Sequence, residues 1–367
     1  MTARVAIVVV VILMQSACSR KSVTHLEKKD VRVVKDLTTL EVGDNNRSLR
    51  IQYLGSGGIL IVDAGRNIMI DPFFSHQNLW KLSLATVFGC KIKSKKPMIS
   101  YGKKRILNSN IMEEQQLKDN TKALFSAHGH YDHVMDFPFL YDNWFETKPM
   151  IYTNASALKS IEKSIGENQI RSLDSISSTS AHRGKPVIIP GADGSIIRVY
   201  PIFAAHNPHF VNVKFFSGSV QQTQKKLRSP KYKSKVNNWL EGRTLSFLID
   251  IERDNAIQLR MFAQSSSCEF PEGMPPQDML TEKSVDIAFL GVASYHFSKS
   301  SYPSMFLDSL RPKKVVFIHW EDFFRSYKRK PKTVLQTDVV SFFKTLPKKY
   351  SDKYFLPVPG VVFDVKY

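Results

Sequence analysis

Short apolar runs alternate with helical patterns along most of the chain, and this alternation predicts an α/β fold. Lys122 to Ser126, Ile196 to Ala205, Gln258 to Ala263 and Lys314 to Ile318 read as strands. Val285 to Gly291 is almost continuously apolar, so its strand is expected to be buried on both faces. Phe355 to Leu356 and Val361 to Val365 read as closing strand material. Pro201 interrupts one of these runs; proline lacks a ladder donor, so an edge or a bulge is expected there. Helical spacing covers Ala155 to Ile165 and Thr333 to Thr345, with a short helix over Ser304 to Leu310. Residues 48–367 carry the pattern without a linker or repeat and are read as one domain. Two stretches, 73–119 and 207–243, exceed ordinary connection length.

The first residues have a different pattern. Arg4 precedes Val5 to Met14, an unbroken apolar run of ten residues. A membrane span needs about 20 residues, so residues 1–17 read as a secretory signal. Ser16-Ala17-Cys18 resembles a bacterial lipoprotein cleavage site, with Cys18 as the lipidated residue. Gln15 departs from that pattern, since leucine or a similar residue is usual there. The polar segment 18–47 reads as a tether. The expected location is the bacterial cell envelope, membrane-anchored, on the periplasmic side or the outer surface.

The formal charge of +19 changes the picture of partners. Lysines and arginines cluster at residues 91–96, 103–105, 225–235 and 328–332. For an anchored protein the simplest use is attraction to an anionic leaflet or an anionic small-molecule or lipid substrate. Nucleic acid is not expected, because export removes the chain from intracellular RNA. Cys90 and Cys268 either pair, as exported cysteines often do, or stay as two thiols.

The densest chemistry lies in Ala127-His128-Gly129-His130-Tyr131-Asp132-His133, directly after an expected strand. It holds three of the ten histidines and a carboxylate, all good ligands for a divalent metal. After a strand, an irregular loop can send His128 and His130 to one metal and Asp132 and His133 to a second.

This spacing resembles the signature of the metallo-β-lactamase superfamily of hydrolases. His206, following the Ile196 strand, is similar to the third ligand of the first metal. His319, after Lys314 to Ile318, resembles the late histidine of the second. The ending Ile318-His319-Trp320-Glu321-Asp322-Phe323 is similar to the branch of the ascorbate-phosphate lactonases and the phospholipase D enzymes of N-acyl-ethanolamine lipids. Ile51 to Ile61 and Asn67 to Ile70 look like the family's opening hairpin, and Asp71 resembles the aspartate that orients a ligand histidine. The resemblance implies a four-layer αββα sandwich with zinc at one edge, in one site or two. It also implies hydrolysis by metal-activated water, which Asp132 would orient or deprotonate, on a phosphodiester, phospholipid-like, ester or lactone substrate.

One expected ligand is missing. Where the family carries a bridging aspartate, Gln264-Ser265-Ser266-Ser267 stands here, with Ser265 at the matching position, give or take one residue. Ser265 or Gln264 would replace the bridge, or Glu269 would bend back. The loss is the best support for a rival reading, a non-catalytic envelope lipoprotein that keeps the fold for binding, and the near-complete histidine set argues against it. Further along, Tyr295 and His296 follow the buried strand and would stabilise an oxyanion or protonate a leaving group. His209 would supplement the metal site or contact substrate, whereas His25, His76 and His182 read as incidental.

Overall fold

The computed structural model describes residues 20–44, 47–94, 114–209, 213–227, 232–298, 302–325 and 329–367. The apolar run and Cys18 lie outside the described residues.

The strands follow one another as β1 (Val33–Val34), β2 (Thr38–Glu41), β3 (Ser48–Gly55), β4 (Gly58–Asp63), β5 (Arg66–Ile70) and β6 (Lys91–Lys93). Then come β7 (Thr121–Phe125), β8 (Met150–Thr153), β9 (Ile170–Ser172), β10 (Val187–Pro190), β11 (Ile196–Ala204) and β12 (Lys233–Lys235). The last are β13 (Thr244–Arg253), β14 (Ala256–Gln264), β15 (Ile287–Gly291), β16 (Lys314–Ile318), β17 (Tyr354–Pro357) and β18 (Val362–Lys366). One eight-stranded sheet has the order β2-β18-β3-β4-β5-β7-β8-β9, and the other β1-β17-β16-β15-β14-β13-β11-β10.

Strand alternation builds the layers. Successive side chains point to opposite faces of a sheet. In β4, Ile59 and Ile61 enter a core shared with Leu259, Met261 and Ala263 of β14, so the two sheets face each other. Leu60 and Val62 point the other way, onto a layer with Leu82, Val134, Phe137 and Ile161 from helices Leu79–Phe88, Tyr131–Val134, Phe137–Asn143 and Ala155–Ile165. Phe262 of β14 likewise points outward, onto Met279, Phe306 and Phe342. The result is a four-layer αββα sandwich. Burial on both faces explains why its central strands read as continuous apolar runs.

Three expectations change. The tether does not begin the domain at residue 48. Leu26 is buried in the outer layer, β1 pairs with β17, and β2 pairs with β18 with Leu40 in the central core. Single apolar residues at intervals, each buried by a short element, gave the segment its polar average. The Thr333–Thr345 helix shrinks to Val339–Thr345, because Gln336 takes a positive φ of 61° and Asp338 caps the shorter helix through Val340 and Ser341 N–H. Pro201 causes no bulge: β11 holds register with β13 throughout, and past the residues that pair with β10 its other side is met by Ser178, which donates to Pro201 O at 2.8 Å and accepts from Phe203 N–H at 2.9 Å.

The two long insertions meet. β6 from the first and β12 from the second form a two-stranded antiparallel ribbon.

Candidate metal centre

β5 and β7 are parallel neighbours, so their C-terminal ends deliver Asp71 and the His128–His133 run to one edge. In the facing sheet β14, β15 and β16 are parallel. β11 shares their direction, being antiparallel to β13, which is antiparallel to β14. These strand ends bring His206, Ser265, Ala293 and His319 to the same cavity as the motif.

Local backbone constraints place the ligands. Gly129 donates its N–H to Glu241 O at 2.8 Å, and a Cβ there would lie 2.1 Å from Leu240 O. Only glycine permits this approach, which pins the loop between His128 and His130. Asp71 and His319 both adopt the left-handed region, at φ 46° and 55°. Such strain persists where surrounding contacts over-determine it. Asp71 Oδ1 accepts from Ala127 N–H at 2.8 Å, and Oδ2 lies 2.9 Å from His133 Nδ1. His319 N–H donates to Tyr53 Oη at 2.8 Å, Tyr53 Oη lies 2.5 Å from Glu321 Oε2, and Glu321 Oε1 accepts from Ser56 N–H at 2.6 Å.

Two ligand clusters result, His128–His130–His206 and Asp132–His133–His319, each with one donor atom per residue and all within 4.8 Å of one another. His128 Nε2 and His130 Nδ1 stand 2.8 Å apart, so a proton or cation must lie between these basic nitrogens. Asn207 O can only accept, so its 2.6 Å contact puts the His206 proton on Nδ1 and leaves Nε2 as the donor atom. Asp132 Oδ2 lies 3.6 Å from His133 Nε2 and 3.7 Å from His319 Nε2. The nitrogen and oxygen donors fit a divalent ion such as zinc.

Electrostatics agrees with the donor set. Burial, reinforced by neighbouring imidazoles, holds His128, His130 and His319 well below the ordinary histidine value. Burial and His209 do the same for His206. All four present neutral lone pairs, the form a metal requires. For His133 burial is outweighed by Asp71 and Asp132, which raise it. Burial lifts Asp132 above the usual carboxylate range, although His133 offsets part of it.

Several expected residues lie elsewhere. Tyr295 Oη donates to Asp338 O at 3.1 Å and its ring packs on Phe342, while His296 is exposed against Phe297. Neither lines the cavity. The cause is Ser294, whose φ of 61° turns the chain into a 3-10 helix facing away. Gln264 turns its Nε2 to Cys268 Sγ at 3.0 Å, on the far side of its strand from the cavity lining. Glu269 joins neither ligand cluster. Cys268 is buried in the outer core and Cys90 is exposed; they are unpaired. Ser265 does reach the cavity, with a buried Oγ that has no hydrogen-bond partner. A Cβ on Gly57 would lie 2.5 Å from Ser265 Cβ and 3.1 Å from His133 Cε1, so glycine is what lets Ser265 sit beside that ring.

Sequence reasoning missed Tyr53, Ser56 and Glu321, and under-read His209. The His209 ring stacks on His206 at 4.6 Å between centroids. Its Nδ1 accepts from Phe215 N–H at 3.1 Å, which leaves the ring proton on Nε2. Burial pulls its pKa down to about 4. The walls around this polar floor are apolar: Leu79 and Leu82 come from the first insertion, Phe215 and Phe216 from the second, and Phe323 and Val334 follow β16.

No protein-family model matches the chain, and no curated protein matches it. Solved structures do resemble it. A metallo hydrolase from the hyperthermophilic archaeon Ignicoccus hospitalis is 14% identical, with 88% of this chain and all (100%) of that one covered, at a TM-score of 0.48. An isothiocyanate hydrolase from Delia radicum gut bacteria is 15% identical over 85% of this chain and 98% of that one, at 0.44. A metallo-β-lactamase fold protein from Bacillus subtilis is 9% identical over 86% and 99%, at 0.43.

Proposed function

We propose that the chain is a metal-dependent hydrolase of the metallo-β-lactamase kind, acting at the bacterial cell envelope. The observation that carries this reading is the convergence of two three-residue ligand clusters on the floor of one cavity. His128, His130 and His206 would hold one ion, and Asp132, His133 and His319 a second. A divalent ion bound there supplies a nucleophile by lowering the pKa of its water, and polarises the oxygen under attack.

The chain's own residues do the rest. Asp71 fixes the His133 ring through Nδ1 and so presents Nε2 to the site. Asp132 Oδ2 is placed between His133 and His319 as the ligand oxygen, which leaves the other carboxylate oxygen to orient or deprotonate the water, and burial makes the group more basic than a surface aspartate. His209, protonated on Nε2, is a neutral donor for an oxygen that gains charge. Apolar walls exclude water and suit an acyl chain, so a phosphodiester or ester carrying a lipid-like group is the favoured substrate class.

The test is metal content of the full-length protein together with turnover of generic phosphodiesters, esters and lactones. Metal binding with zinc-dependent turnover is the expected result. A chain without metal and without turnover would favour the second reading, a binding protein that keeps the fold. Ser265 is the specific observation behind that alternative, since it puts a neutral oxygen where a bridging carboxylate is expected.

A further inference from the structure

Helix Leu79–Phe88 has apolar residues on two faces. One face carries Leu79, Leu82, Ser83 and Thr86 into the cavity wall. The other leaves Trp80, Leu84 and Phe88 exposed at 43%, 41% and 73%. They are spaced i, i+4, i+8, so they form one stripe. Among the described residues seven large hydrophobics are exposed, and three lie on this helix; the other four, Leu37, Ile188, Val213 and Met305, are scattered. A helix that is apolar on its outer face is ordinarily buried against something.

Gly89 closes the helix at φ 65°, and the chain enters β6 two residues later. In the β6–β12 ribbon Lys91 stands opposite Lys235, and Lys93 opposite Lys233. All four are exposed, whereas Ile92 and Ser234 between them point inward. Among the described residues no carboxylate pairs with any of them. Like charges directly opposite destabilise a ribbon. Such an arrangement calls for an external anionic partner.

We infer that this helix and ribbon form a docking face for an anionic phospholipid bilayer. Trp80, Leu84 and Phe88 enter the interface, and the four lysines meet the phosphates. An exposed apolar stripe beside a lysine-bearing ribbon combines the two attractions that hold a protein to an anionic membrane surface, buried apolar area and opposite charge. Because the opposite face of the same helix lines the cavity, docking sets the cavity wall against the lipid. This contact is separate from any attachment through residues 1–19, and it needs no metal, so it stands or falls independently of hydrolysis.

Tryptophan fluorescence of the full-length chain tests it. Of four tryptophans, Trp144, Trp239 and Trp320 are buried, and residues 1–19 contain none, so Trp80 reports this face alone. Vesicles of phosphatidylglycerol with brominated acyl chains should quench the emission, and Trp80→Phe should remove that quenching. Each lysine near an anionic surface is worth about fivefold in partitioning. A variant carrying Lys91→Gln, Lys93→Gln, Lys233→Gln and Lys235→Gln should therefore need at least ~10-fold more anionic lipid for half-quenching. Relief of like-charge repulsion should keep that variant folded. Vesicle-bound protein whose Trp80 stays unquenched and open to aqueous acrylamide would overturn the proposal. So would half-quenching at the same lipid concentration with phosphatidylcholine. Shielding of Trp80 from acrylamide without lipid would also overturn it, since a second copy of the chain would then cover the stripe.

Discussion

The floor of the cavity and its walls are built by opposite means. The floor is polar, mostly buried and fixed by strand ends of both sheets. Its groups are held by short contacts such as Asp71–His133 at 2.9 Å and Glu321–Ser56 at 2.6 Å. The walls are apolar and come from the two long insertions and, in equal part, from the segment after β16. On the proposed reading, position is over-determined where bonds to a metal would need it, and adaptable where a substrate would be selected. The same scaffold can keep its chemistry while the insertions change what enters.

The comparison is most easily broken at the floor. His130→Ala removes a donor atom from the first cluster and should abolish both tight metal binding and hydrolysis. Metal analysis and turnover check this, and retained activity would defeat the metallohydrolase reading. Acidification comes next. His128, His130, His206 and His319 have folded pKa values below their unfolded value, so the folded state binds fewer protons than the unfolded one. Their penalty is absent above about pH 6.5 and grows as pH falls through that value. His133 acts in the opposite sense, but it is one group against four. Metal-free protein should lose thermal stability steadily from about pH 7 to about pH 5, and zinc should move that loss to lower pH. A flat melting profile over this range would contradict the buried, neutral cluster.

Asp71→Ala should weaken metal binding and turnover by about 10–100-fold, as for other partners that orient a ligand histidine. By contrast, Phe216→Ala in the wall should leave metal content unchanged. It should lower kcat/KM for an acyl-bearing substrate by about 10-fold, through loss of a hydrophobic contact. If wall truncation released the metal, the division between floor and walls would fail.

The same division governs what the sequence showed. His128 to His133 is contiguous and follows a strand, so local pattern sufficed. His206, His319 and Asp71 each end an apolar strand, and the parallel sheet order brings such ends together. The Tyr53–Glu321 contact spans 268 positions, and no local periodicity encodes it. The β6–β12 ribbon joins two stretches that read as loops, because three-residue strands leave too short a pattern. Tyr295 and His296 were placed near the site by their position after β15, and one left-handed residue, Ser294, turned them away.

The smallest expected effect concerns Ser265, and it follows from counting charge. Two divalent ions bring four positive charges. Among the six ligand residues Asp132 is the one carboxylate, and the imidazoles are neutral when they bind metal. A second ion would thus enter a site whose repulsion with the first is poorly compensated. Ser265 lies beside His133 with a buried, unpartnered Oγ, so its position is suited to an added ligand while its chemistry is not. One ion per chain should survive dialysis, and the second should be lost. Ser265→Asp should tighten the second ion by about 10-fold and move the retained count towards two, since it adds the missing negative charge. Two ions retained by the unmodified chain would mean that another group already supplies the compensation. The serine at position 265 would then have no bearing on metal number.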